Sequence, residues 1–395
     1  MTGRGGSAGW TAPPVRRTLV GTVLTGLATL GLILMAALPA AAHPAGVPAA
    51  TDYRTSVRGV TPALPGLTVR FVADNSQLEL TSTIGETVEV VGYQDEPLLQ
   101  VRTDGVWHNT RAPSLYVDQP GNPASAHADA AAAPRWRRVS GSRTARWHDH
   151  RTVWHGRPPP PVLQHPDRRA HIRDWSVPLR LGDRPGDPEA AITGSLEWLP
   201  PPVSVNWWGG IGLAALAVTG LGLARTAPGA RSATLLRYAL AAVSAVAGLG
   251  ALSYAGMVAA HIATPGAAGT VAAVLSQLWP ILTGLAALAA SAAALARRAA
   301  ADFALALAGA CVAVMAGLGN AAVFAHSVAP VPVDAGWARW LVAVTLAGAT
   351  GLTGACAIRM YRDSTPHRES DTAEVSSGTA PPEVPGTSAD RAATI

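Results

Sequence analysis

Two regimes of hydrophobic patterning divide the chain. Across residues 43–204 the apolar residues come in short runs that alternate with polar ones and stop at turn residues, the period-two signal of half-buried strands. Residues 67–72 alternate, Asp74, Asn75 and Ser76 turn the chain into 78–80, and Gly85 precedes 87–91. Residues 97–101, 106–110, 146–154, 174–181 and 192–199 continue the pattern. Strands at this spacing, with no helical period between them, predict an all-β sandwich-like domain over 43–204. Two stretches interrupt it: 121–134 is rich in Ala, Pro and Gly, and 156–171 carries four consecutive prolines from Pro158 to Pro161. Both read as surface loops.

From 206 to 358 the apolar runs are long. Only Arg225, Arg231, Arg237, Arg297, Arg298, Asp302, Asp334 and Arg339 are charged there, eight in 153 residues. Five spans are predicted at 207–224, 238–261, 271–296, 303–325 and 340–358, each long enough for about 30 Å of hydrocarbon. The fold class is therefore an exported β-domain followed by a five-helix transmembrane bundle in 205–360. The turns after the first and third spans carry Arg225, Arg231 and Arg237, then Arg297 and Arg298, and the tail opens with Arg359 and Arg362. The alternate turns, 262–270 and 327–336, carry no Arg. The positive-inside rule places the tail in the cytoplasm and 43–204 outside a plasma membrane. Trp207, Trp208, Trp337 and Trp340 fall at outer boundaries, and Tyr238 and Tyr361 at inner ones, as an aromatic belt does.

The N-terminus reads as an export signal over 1–42. Arg4, Arg16 and Arg17 precede an uncharged apolar run at 18–38, Pro39 breaks it, and Ala40, Ala41 and Ala42 offer small residues for cleavage after Ala42. An uncleaved anchor and a twin-arginine signal are the alternatives. Residues 361–395 are rich in Ser, Thr, Pro and acids, which predicts a disordered cytoplasmic tail.

Composition adds limits. The chain is 49% hydrophobic and 14% charged, against about 25% charged for soluble domains. Its net charge is +5, but 43–204 holds 17 Arg against 17 Asp and Glu, so the exported part is neutral. With no basic stripe that carries stacking aromatics, nucleic-acid binding is a poor reading. The two cysteines, Cys311 and Cys356, both fall in predicted spans, so no disulfide can staple the β-domain.

Residues 92–99 (Gly-Tyr-Gln-Asp-Glu-Pro-Leu-Leu), 105–109 (Gly-Val-Trp-His-Asn) and 147–151 (Trp-His-Asp-His-Arg) resemble signatures of a family of actinobacterial membrane proteins. Its members pair an exported domain with a C-terminal bundle of spans, and the resemblance covers most of the chain in the same order. The family pattern has Tyr where this chain has Leu98 and Glu where it has His108. The resemblance implies architecture and no activity.

Candidate chemistry is sparse. Eight of eleven histidines lie in the exported part: His43, His108, His127, His148, His150, His155, His165 and His171. If 146–154 is one strand, residues two apart share a face, and His148 and His150 point together with Trp154. Imidazole suits copper or zinc, with His155 or a mature N-terminal His43 as further ligand. The alternative is a polar edge strand whose histidines bond to carboxylates and carbonyls. Within the spans, Met257 and His261 share a helix face, and Gln277, Asn320 and His326 are polar candidates. Pro280 frees the carbonyl of Ser276 and kinks its helix. Small residues recur every four at Ala247, Ala251, Ala255 and Ala259, and at Gly309, Ala313, Gly317 and Ala321, for packing inside the bundle or for a dimer face.

No phosphate loop, nucleophile elbow or zinc helix is present, so the sequence argues against an enzyme. A binding or interaction module at the cell envelope, with an envelope protein, a second copy and the lipid bilayer as partners, is the first reading. Metal handling by outer histidines, with copper passed toward Met257 and His261, is the second, and small-solute transport the third.

Overall fold

The computed structural model describes residues 50–72, 77–119, 121–182, 188–227, 229–263 and 266–364. The signal segment, His43, the turn at 74–76 and the tail from 365 lie outside the described residues.

Among the described residues ten strands form two antiparallel sheets. The large sheet has the order β1-β10-β9-β4-β5-β6-β7, built from β1 (Tyr53–Thr61), β4 (Val88–Val91), β5 (Pro97–Arg102), β6 (Gly105–Asn109), β7 (Trp136–Ser140), β9 (Ala170–Leu181) and β10 (Ala190–Trp198). The small one has the order β2-β3-β8, from β2 (Leu67–Val72), β3 (Gln77–Ser82) and β8 (Thr144–His148). Alternation decides which side chains meet. Leu78, Leu80 and Trp147 from the small sheet pack in one buried cluster with Val90, Leu99, Val177 and Ile192 from the large one. The two edge strands β1 and β7 were not among the expected strands. They are Arg-rich, Trp136 and Val139 are the only large apolar residues of β7, and no β7 residue is buried.

One expected strand is corrected. Residues 146–154 do not run on as a strand, because β8 ends at His148. Asp149 takes the amide of Arg151 on its own Oδ1 at 3.0 Å, and its carbonyl takes the amide of Thr152 at 3.0 Å. An aspartate that bonds the backbone two residues on turns the chain out of the sheet.

Register places the connections. Tyr53 lies opposite Trp198, Trp198 opposite Ala170, Val91 opposite Pro97, and Asn109 opposite Trp136. The loops 92–96, 110–135 and 149–169 therefore all meet the large sheet at the end where β1 begins and β10 finishes. The loop 149–169 includes a short helix α1 (Pro160–Gln164), and 110–135 includes 3-10 turns at Pro113–Tyr116 and Pro123–His127.

Among the described residues five helices that follow are long and apolar enough to cross a bilayer, which supports a membrane protein. They are α2 (Ser204–Gly220, extended to Leu223), α3 (Arg231–Ile262), α5 (Leu278–Leu295), α6 (Ala301–Val312, continued by a π turn and a 3-10 turn to Phe324) and α7 (Ala335–Asp363). The third expected span is broken in two. A separate helix α4 (Ala267–Ser276) precedes α5, and Gln277 between them leaves helical geometry at φ −104° and ψ 18°. Pro280 supplies the cause: it has no N–H for the carbonyl of Ser276.

The small-residue stripes are buried inside the bundle except at Ala321, which is half-buried. Ala247, Ala251, Ala255 and Ala259 are buried in its core, and a Cβ on Gly309 would lie 2.8 Å from the carbonyl oxygen of Ala349 in α7. In lipid, where burial from water gives no drive, backbone approach of this kind supplies van der Waals contact.

Candidate functional site

The three signature segments meet at the loop end of the β-domain through buried polar side chains. Glu96 is the first centre. Its carboxylate accepts from the hydroxyl of Ser114 (2.5 Å) and from the amides of Ser114 (3.1 Å) and Gln94 (2.9 Å). Burial works to raise the pKa of Glu96, but these bonds outweigh it and hold the group below the usual carboxylate value. The carboxyl lies against Gly92, where any Cβ would collide with it. Asn109 is the second centre: its amide donates to the carbonyl of Pro97 (2.7 Å), and its oxygen accepts the amides of Arg111 (3.0 Å) and Arg135 (2.9 Å).

Asp149 is the third. It is 1% exposed and accepts from Trp147 Nε1 (3.1 Å) and from Arg151 Nε (2.8 Å) and a terminal nitrogen (2.7 Å). Arg151 also donates to the carbonyl of Val91 (3.0 Å) and lies over the ring of Tyr93, 5.0 Å from its centroid. The hydroxyl of Tyr93 accepts the amide of His150 (2.8 Å), and the amide of Tyr93 donates to Ser114 Oγ (2.8 Å). Burial first, then the charge of Asp149, pushes the Tyr93 hydroxyl up to about 12. Arg173 of β9 closes the far side, donating to the carbonyls of His150, Arg151 and Val153 at 3.3, 3.0 and 2.7 Å.

The turn at Asp149 separates the histidines expected to share a face. His148 stays on β8, with its Nε2 2.8 Å from Nε2 of Gln77. His150 instead meets His155, with ring centroids 4.4 Å apart and planes inclined by 32°. Asp118, from the long 110–135 loop, lies 2.5 Å from Nε2 of His150. Burial, then the neighbouring His150, lowers the pKa of His155, which favours neutral imidazole. No sequence signal tied Asp118 to this pair. Among the described residues no three His, Cys, Asp or Glu side chains are grouped to hold a metal ion.

The intramembrane candidates scatter. Met257 packs against the bundle core, Gln277 is buried at the break between α4 and α5, and Asn320 donates to the carbonyl of Ala316 at 2.7 Å on its own helix. His261, at the last turn of α3, lines a cavity of about 220 Å³ with Arg54, Ser327 and Asp334. His326 is corrected: it is not within a span, because the helical backbone ends at Phe324. Its Nδ1 lies 2.9 Å from Asp52 of the β-domain, and Asp52 also accepts the amide of Ser327 at 2.8 Å.

That bond belongs to a seam between the β-domain and one end of the bundle. Thr51 pairs with Val328 as an isolated antiparallel bridge. Arg146 donates to the carbonyl of Ala263 at 2.8 Å, just past α3, while Glu79 takes Arg146 on one oxygen (2.6 Å) and Arg70 on the other (2.5 Å). Arg339 of α7 ties the same loop from below, donating to the carbonyls of Val323, His326 and Ser327. No protein-family model, curated protein or solved structure matches this chain.

Proposed function

We propose that this chain is a multi-pass protein of the plasma membrane whose exported β-sandwich is a binding module, held in fixed bearing on the outer end of a five-helix bundle, with the tail in the cytoplasm. The observation that carries the reading is the seam: Asp52 with His326 and Ser327, Thr51 with Val328, and Arg146 with Ala263. A ligand held by the loops would then be presented at a set height and angle to the membrane. The network at that end supports binding over catalysis. Glu96, Asn109 and Asp149 have their polar atoms engaged by neighbours, which makes the loops rigid and leaves no poised acid or base among the three.

Sidedness is tested by reporter fusions active only outside the cytoplasm. Activity at Gly266 with silence at Ser377 is expected, and activity at Ser377 overturns the topology. The module is tested by placing a photo-crosslinking residue at Val117 or Leu163, both exposed at the loop end, or at Glu86 at the opposite strand end. A discrete partner adduct from the first two and none from Glu86 is expected. Adducts from none of the three overturn the binding reading.

A second reading has its own observation, the His150 and His155 rings at 4.4 Å beside Asp118. Two imidazoles with one held neutral are the start of a copper or zinc site, and ligands must be deprotonated to bind. Detergent-solubilised full chain is titrated with each metal beside a His150→Ala, His155→Ala double variant. Wild-type binding no tighter than the double variant removes this reading.

A further inference from the structure

At the opposite end of the bundle the spans converge on an arginine-lined cavity that the binding reading does not use. It has a volume of about 240 Å³ and opens between the first turns of α3, the turn joining α5 to α6, and the last turns of α7. Arg237, Arg297, Arg298 and Arg359 line it with one acid, Asp302, and Leu240 closes its inner wall. The acid is already matched: Asp302 Oδ2 accepts Arg359 Nε at 3.0 Å. Among the described residues three guanidinium charges are left, since four cations less one anion is three. Among the same residues the side chains of Arg297 and Arg298 have no hydrogen-bond partner, and both are exposed at the rim, at a turn where Arg297 itself takes a φ of 57°. Arg237 Nε is buried, again with no hydrogen-bond partner among the described residues.

A buried charged donor with nothing to donate to is costly and uncommon, and three unneutralised guanidinium groups around one space repel one another. An anion with several acceptor oxygens in the cavity offsets the repulsion and gives acceptors to the guanidinium donors that line it. Guanidinium forks take phosphate or carboxylate oxygens in bidentate pairs, which chloride cannot offer, and of these anions phosphate is the one that a bilayer surface supplies. The cavity also lies where the helices meet the membrane surface, with exposed Tyr238 and Leu235 on the same turns of α3 as Arg237. Basic pockets between spans on the cytoplasmic side are where anionic headgroups seat.

We infer that Arg237, Arg297 and Arg298 form a phosphate-binding site at the cytoplasmic end of the bundle, taking the phosphodiester of an anionic lipid. The inference rests on the membrane reading and deepens it, by naming a lipid class that the bundle holds. The same chemistry would serve a soluble phosphate ester, so the experiment separates the two sources.

Membranes carrying the full chain are first washed at alkaline pH. A chain released by the wash sinks the membrane reading itself, whatever the site does. The retained protein is then purified in detergent and mixed with phosphatidylglycerol or phosphatidylcholine, and bound lipid is counted by native mass spectrometry. Phosphatidylglycerol is expected to bind roughly tenfold tighter than phosphatidylcholine. Arg297→Gln with Arg298→Gln, both at an exposed turn, should erase that preference, and Arg237→Gln should weaken it. Arg231→Gln, at the same end but outside the cavity, should leave it intact. Inorganic phosphate is the second arm. Lipid that survives millimolar phosphate supports the headgroup. Phosphate that binds in an Arg297- and Arg298-dependent way without lipid preference supports the phosphate site and overturns its lipid source. Equal binding of both lipids with no phosphate binding, or a preference unchanged in the double variant, overturns the proposal.

Discussion

Asp52 Oδ2 lies 2.9 Å from His326 Nδ1, and this pair fastens the first strand of the β-domain to the loop between the last two spans. The hydrogen bond that His326 donates to Asp52 raises the pKa of His326 above the ordinary histidine value, helped by the charge of Asp52 and opposed by burial. A raised folded-state pKa means that the imidazolium form stabilises the seam. That stabilisation is fully present below the unfolded value of about 6.5 and is lost as pH rises through the higher folded value. Hydrogen exchange of the amides of Ser327 and Val328 should therefore speed up as pH climbs through that window, beyond the intrinsic rise. In Asp52→Asn the extra acceleration should vanish. Equal pH dependence in both proteins would show that the pair does not govern the seam.

Asp149 and Arg151 make a second pair, and theirs is buried. The carboxylate side chain of Asp149 is 0% exposed and that of Arg151 is 22% exposed. Removing one partner of a buried ion pair strands the other, at a typical cost of about 3–5 kcal/mol. Asp149→Ala should lose about that much in denaturant unfolding of the β-domain signal, and His150 should leave Asp118 because the turn that presents it opens. Arg151→Ala should cost at least as much, since it strands a fully buried carboxylate with the indole of Trp147 (3.1 Å) and a backbone amide (3.0 Å) as its neutral donors. An Asp149→Ala protein of unchanged stability would contradict the role given to this turn.

How far the sequence foretold these features depends on the range of the interaction. Strands whose alternation faces the core, such as β3 with Leu78 and Leu80 buried, were legible from period two, and so were the five spans and the break before Pro280. The edge strands β1 and β7 were not, because an edge buries little and its Arg and Ser residues carry no apolar rhythm. The turn at Asp149 had a local signal, an aspartate two residues before the amide it caps, but the apolar pattern on either side outweighed it. What no local pattern could give was convergence. Glu96 with Ser114, Arg173 with His150, and Arg237 with Arg297 join residues from separate elements, and only the fold brings them together.

Gly92 and Glu96 predict a non-additive pair. A Cβ at Gly92 would collide with the Glu96 carboxyl, so Gly92→Ala should displace that side chain from Ser114 and cost about 1–3 kcal/mol, as overpacking does. Glu96→Ala alone should also destabilise, by leaving the Gln94 and Ser114 amides without their acceptor. The double variant should cost less than the sum, because the collision is gone once the carboxyl is. Additive losses in a double-mutant cycle would mean that the two residues are uncoupled.

Two glycines in neighbouring spans should respond to one substitution with opposite signs. At Gly309 of α6 a Cβ would sit 2.8 Å from the carbonyl oxygen of Ala349 and 2.8 Å from Thr353 Oγ1, so alanine forces α6 and α7 apart. At Gly256 of α3 nothing lies within 4 Å, so alanine only removes backbone freedom from the unfolded chain. Gly309→Ala should lower the thermal midpoint of the detergent-solubilised protein, by about 1–3 kcal/mol of stability. Gly256→Ala should raise it slightly, by about 0.5–1 kcal/mol. Because Gly309 packs against α7 of the same chain, the loss should appear in the monomer at any protein concentration. A loss that grows on dilution, with a shift from dimer to monomer in size-exclusion chromatography with light scattering, would overturn that packing role.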